Sequence, residues 1–75
     1  MKSKSAAKYH KVSFSPGEES VLYALADGET RAEYAARKGI SVGTVQNSIR
    51  LIIAKTHSKT MAQALCFALK SGAIS

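Results

Sequence analysis

The sequence predicts an all-α domain of four helices, preceded by a flexible basic tail. Three observations carry that expectation. Four segments open on a serine or threonine and run on into apolar residues at helical spacing. Gly28, Gly39 and Gly72 stand where helices would stop. No segment shows the clean polar–apolar alternation that a half-buried strand requires.

Residues 1–13 hold four lysines, no acid and no apolar periodicity. They are expected to form a disordered tail, serving either as a solubilising arm or as a basic arm that touches phosphate. Residues 14–75 are expected to form one domain. Ser15-Pro16-Gly17-Glu18 is a capping box, with proline at the first helical position and glutamate three residues after the cap. Val21, Leu22, Leu25 and Ala26 then make one apolar stripe, and Asp27-Gly28 ends the first helix. Thr30 and Glu33 repeat the device. In this second helix Tyr34, Ala35 and the stem of Lys38 are expected to face inward, and Gly39 ends it. Ser41 caps a third helix, expected to reach Thr56. Val42, Val45, Ile49, Ile52 and Ile53 form its buried stripe, while Gln46, Asn47 and Arg50 lie opposite. Thr60 and Gln63 form another capping box, opening a fourth helix that Gly72 closes.

Charge is distributed unevenly. The net charge is +6, and all five acidic residues lie between Glu18 and Glu33. From Tyr34 onward the only charges are Arg37, Lys38, Arg50, Lys55, Lys59 and Lys70. A helical pair whose second member carries only positive charge suits a polyanion. No apolar run is long enough to span a bilayer and nothing resembles a signal peptide, so the cytoplasm is the expected compartment. The single cysteine, Cys66, has no internal disulfide partner and reads as a small buried hydrophobe. His10 and His57 add too few ligands for a metal site, and no cofactor is expected. There is no Ser/His/Asp set, phosphate-binding glycine loop or catalytic carboxylate pair, so catalysis is not expected.

The turn explains its own residues. Ala35 is small enough to let the third helix cross the second closely, Gly39 permits the reversal, and Val45 anchors the third helix from beneath. A helix presented this way can lie in the major groove of DNA. From Phe14-Ser-Pro-Gly-Glu-Glu-Ser-Val-Leu through Ala35-Ala-Arg-Lys-Gly-Ile-Ser-Val-Gly-Thr-Val-Gln, the chain resembles the bacterial LuxR/GerE-type helix-turn-helix family. The similarity runs without gaps from Phe14 to Ile74, in the layout of members that are little more than this domain.

The resemblance implies a transcriptional regulator that binds double-stranded DNA as a homodimer. It implies that the third helix reads bases and the fourth mediates pairing. The residues just after Thr44-Val45 would face bases; here they are Gln46, Asn47 and Arg50. Asn and Gln can pair bidentately with adenine, and Arg with guanine. By position, Arg31, Ser41, Thr44, Ser48 and Lys55 would contact phosphate. Several residues depart from the family pattern. Lys38 replaces an aliphatic residue, Tyr34 a smaller isoleucine, and Ser48 a common histidine. Leu51 stands where a polar residue is usual, His57 where glycine often closes the helix, and Met61 where arginine is common.

The fourth helix carries more apolar surface than one core needs. Its apolar arc spans about 200° at the helical repeat, and Phe67 lies outside even that. Ala62, Cys66 and Leu69 would be exposed in a monomer, which points to a dimer interface. The competing expectation is that the N-terminal segment wraps this helix. A second function also stands: a protein-interaction module that pairs with a larger LuxR-type regulator, another transcription regulator being its partner. A weaker third is RNA or nonspecific nucleoid binding through the lysine tail. With no receiver or ligand-binding domain in the sequence, control is expected from abundance or from a partner.

Overall fold

A computed structural model describes residues 10–74 and shows an all-helical domain. Its helices are α1 (Pro16–Ala26), α2 (Arg31–Lys38), α3 (Val42–Thr56) and α4 (Met61–Ser71). No strand occurs among the described residues. The part of the expected tail up to Tyr9 lies outside the described residues.

Each helix starts where a side chain satisfies an orphan amide. Ser15 Oγ accepts from the Glu18 amide at 3.2 Å, and Glu18 Oε1 accepts from the Ser15 amide at 2.9 Å. Thr30 and Glu33 form the same reciprocal pair at 3.1 and 2.9 Å. Ser41 Oγ accepts from the Thr44 amide at 3.1 Å. Thr60 Oγ1 accepts from the Gln63 amide, but Gln63 Oε1 accepts from the Lys59 amide, one residue before the cap. The expected capping box there is therefore only half formed. Such caps are worth about 1 kcal/mol each.

The helix ends share one device. After α2, the Ile40 amide reaches back to the Ala35 carbonyl at 3.0 Å, with Gly39 left-handed at φ 69°. The same six-residue closure ends α1, α3 and α4. His57 takes the glycine role after α3 at φ 54° and is the sole non-glycine with positive φ among the described residues. That backbone costs a side-chain-bearing residue roughly 1–2 kcal/mol. The His57 ring stacks on His10, with centroids 4.4 Å apart.

α3 is the central helix and packs against the other three. The core gathers Val21, Leu22 and Ala24 from α1, Tyr34 and Ala35 from α2, Val45, Ile49 and Ile52 from α3, and Ala64 and Ala68 from α4. Ile74, beyond the last helix, is also buried because its amide and that of Ala73 bond the Ala68 carbonyl. Tyr34 keeps its hydroxyl satisfied inside the fold by donating to Ser20 Oγ at 2.9 Å. This bond joins α2 to α1 and accommodates the bulk of a tyrosine.

Four expectations need correction. Val42 is 48% exposed, because it begins α3 before the helix enters the core. Ala26 is exposed while Ala24 is buried: Ala26 is the last residue of α1 and turns away from Val21 and Leu25. Lys38 is exposed rather than inward, with Nζ 6.0 Å from the Tyr34 ring centroid. Residues 10–13 are docked rather than free. His10 Nε2–H donates to the Lys55 carbonyl at 2.6 Å, and its ring lies 4.9 Å from that of Phe67. Phe67 is consequently half-buried.

Lys55 anchors this N-terminal strap. Its Nζ donates to the Ser13 carbonyl at 3.0 Å and to Glu18 Oε1 at 2.6 Å. The Glu18 side chain is 7% exposed. Burial works to raise the Glu18 pKa, but the Lys55 ammonium and the Ser15 amide together hold it below the usual carboxylate value. A carboxyl depressed in the fold stabilises fully above the pKa it has in the unfolded chain. That contribution drains as pH falls through the lower, folded value. Glu18→Gln is therefore expected to lose stability at neutral pH, and the gap to wild type should narrow in acid. Thermal melts between pH 7 and pH 3 check this; a gap that stays constant across the range would refute the assignment.

Candidate nucleic-acid interface

α2, the Gly39–Ser41 turn and α3 set the geometry. One side of α3 is sealed: Val45, Ile49, Ile52 and Thr56 are buried. Its opposite side is open. Gly43, Asn47, Arg50 and Ala54 point away from the core at helical spacing and are all exposed. Gln46 is half-buried at one margin. Asn47 and Arg50 are thus brought together on the open face, and Arg50 Nη1 approaches Asn47 Oδ1 at 3.4 Å. That long contact leaves both groups able to take other partners.

The phosphate candidates divide. Arg31 is exposed at the start of α2 with no ion pair among the described residues. Ser41 and Thr44 are exposed at the α3 N-terminus, and their hydroxyls lie 3.0 Å apart. The first amides of α3 point the same way and supply partial positive charge. Ser48 is half-buried at the flank. Lys55 is committed to Glu18 and Ser13, so its ammonium belongs to the fold rather than to the open face.

Ion pairing sharpens the charge asymmetry. Glu29 holds Arg37 through two 2.8 Å bonds from Nε and Nη2. The Arg37 hydrogen bonds draw the Glu29 pKa below its usual value. Glu18 is neutralised by Lys55, and the Glu33 carboxylate caps α2. Arg31, Lys38, Arg50, Lys59 and Lys70 carry no ion pair among the described residues. α3 itself carries no acidic residue, so the charge of Arg50 on its open face is not offset from within that helix.

Sequence reasoning gave Leu51 no role on this face, although it is 56% exposed. The available signals were that it breaks the apolar spacing set by Ile49 and Ile52 and stands where a polar residue is usual.

On α4, Ala62, Cys66 and Leu69 lie at i, i+4 and i+7 and are exposed, directly opposite buried Ala64 and Ala68. Cys66 is thus not the buried hydrophobe expected from its residue type. Ala62 and Cys66 line a shallow groove of about 480 Å³ together with His57 and Phe67. The N-terminal strap touches His57 and Phe67 through His10 and leaves the 62–66–69 stripe exposed.

The chain matches no model of a known protein family, and no curated protein matches it. No helix among the described residues is long and apolar enough to cross a membrane.

Proposed function

We propose that this protein is a sequence-specific reader of duplex DNA that acts as a homodimer and regulates transcription. α3 enters the major groove, with Asn47 and Arg50 at base edges and Gln46 at the margin of the contact. Arg31, Ser41, Thr44 and Ser48 face phosphate. One observation carries the reading: the open side of α3 offers an amide and a guanidinium with no acidic residue on that helix, while its other side is locked into the core. A rigid helix presenting planar donor–acceptor groups is what base-edge recognition requires.

Pairing is assigned to the 62–66–69 stripe of α4. A two-fold dimer would present two copies of α3 about one helical turn of DNA apart and would select a roughly palindromic site. Leu69→Asp is expected to give a folded monomer that binds DNA much more weakly than wild type. Sedimentation velocity and a binding titration check this together; a variant that still sediments as a dimer removes the stripe from the interface.

The deciding experiment is selection from random duplex DNA at two salt concentrations. A base reader enriches a two-fold motif. A simple polycation shows steep salt dependence and no motif. A chain that enriches nothing yet co-purifies with a larger regulator is an interaction module instead.

A further inference from the structure

We propose that Leu51 reads the 5-methyl group of a thymine beside the base pairs met by Asn47 and Arg50. The inference rests on the assignment of α3 to the major groove and adds a specificity contact to it. Leu51 is the most exposed large hydrophobic side chain of the described residues. A lone exposed leucine is ordinary on a protein surface; its setting is what matters here. It lies four residues after Asn47 and seven after Thr44, so the three side chains form one row along α3. The row runs beside the open face and away from Val45, Ile49 and Ile52. No part of the four-helix core covers it.

The chemistry of the neighbours selects the occupant. From Tyr34 to the end of the chain every charged residue is cationic, and Arg50 is adjacent. A second copy of α3 laid on this row would set arginine against arginine. A nucleic-acid duplex matches the charge. On its major-groove edge the thymine methyl is the apolar group that a leucine can cover, while adenine and guanine present polar atoms to Asn47 and Arg50. The row and the neighbouring Arg50 thus combine an amide, an aliphatic group and a guanidinium, so that apolar contact with a methyl can add to hydrogen-bond readout in selecting thymine.

The test replaces single thymines by deoxyuridine in the duplex recovered by selection. Deoxyuridine lacks the methyl and leaves every hydrogen-bonding group in place. When the contacted thymine of one half-site is replaced, wild-type affinity should fall about fourfold, the factor equivalent to burying one methyl group. Leu51→Ala should bind the thymine duplex correspondingly weakly and should not distinguish the two duplexes. Leu51→Met should retain the discrimination. Circular dichroism should show both variants folded, since the side chain is outside the core.

Equal wild-type affinity for thymine and deoxyuridine at every position would overturn the inference while leaving DNA reading intact. So would a Leu51→Ala variant that keeps the full discrimination, or one that loses self-association and places Leu51 between copies. Failure of wild type to bind any duplex would overturn both readings.

Discussion

Ile49→Ala is expected to destabilise the protein by about 2–5 kcal/mol, the range for removing a buried aliphatic side chain and leaving a cavity. Ile49 is 0% exposed and sits on the helix that the other three pack against. A domain of this size has roughly 4–11 kcal/mol of stability in total. The upper half of the expected loss therefore rivals the lower end of what is available, and a large unfolded population should appear at 25 °C. Ile49→Val keeps most of the volume and should cost roughly 0.5–1.5 kcal/mol. Val42→Ala, on the same helix but exposed, should stay within about 0.5 kcal/mol of wild type. Urea denaturation of the three variants checks the order. A Val42 effect equal to that of Ile49 would contradict the placement of α3.

Arg50→Ala and Lys55→Ala are expected to fail in different ways, though both remove one positive charge from α3. Arg50 is exposed, and among the described residues its guanidinium makes one long contact, 3.4 Å to the Asn47 amide oxygen. Its loss should leave the melting temperature unchanged and relax preference at one base pair by about 1–3 kcal/mol. Lys55 holds the buried Glu18 carboxylate and the Ser13 carbonyl. Its removal leaves Glu18 without its countercharge and takes away the Ser13 tether, while the His10 contacts of the strap remain. The expected cost is about 1–2 kcal/mol of stability, below that of a fully buried pair because the lysine is 38% exposed and screened by solvent. Base preference should be unchanged by Lys55→Ala. Paired selection and melting experiments check this, and equal, uniform losses of DNA affinity from both variants would refute the distinction.

The position of Lys55 on α3 alone suggested a phosphate contact. Its partner is 37 residues away in sequence, and no local pattern announces that pairing. The same holds for Tyr34 with Ser20, and for His10 with His57 and Phe67. The open face of α3 was legible because one helix repeat places Val45, Ile49 and Ile52 opposite Asn47 and Arg50. The exposed α4 stripe was legible for the same reason. Leu51 was visible as a break in that repeat and as an apolar residue where a polar one is usual, and neither gave it a role.

What the amino-acid order determined unaided was where helices begin and end. Ser15, Thr30, Ser41 and Thr60 bond amides three residues ahead, and Gly39 closes α2 on carbonyls three and four residues back. Those bonds are complete within one turn and need no distant partner. Only the packed fold decided that Val42 and Ala26 stay outside, that Ile74 goes inside, and that residues 10–13 strap onto α3 and α4. Periodicity gives a direction around a helix, but burial also depends on how far along its axis a neighbouring helix extends. Charge has the same limit: lysine supplies a cation, and the carboxylate that folding brings within 2.6 Å determines whether that cation remains available to a ligand.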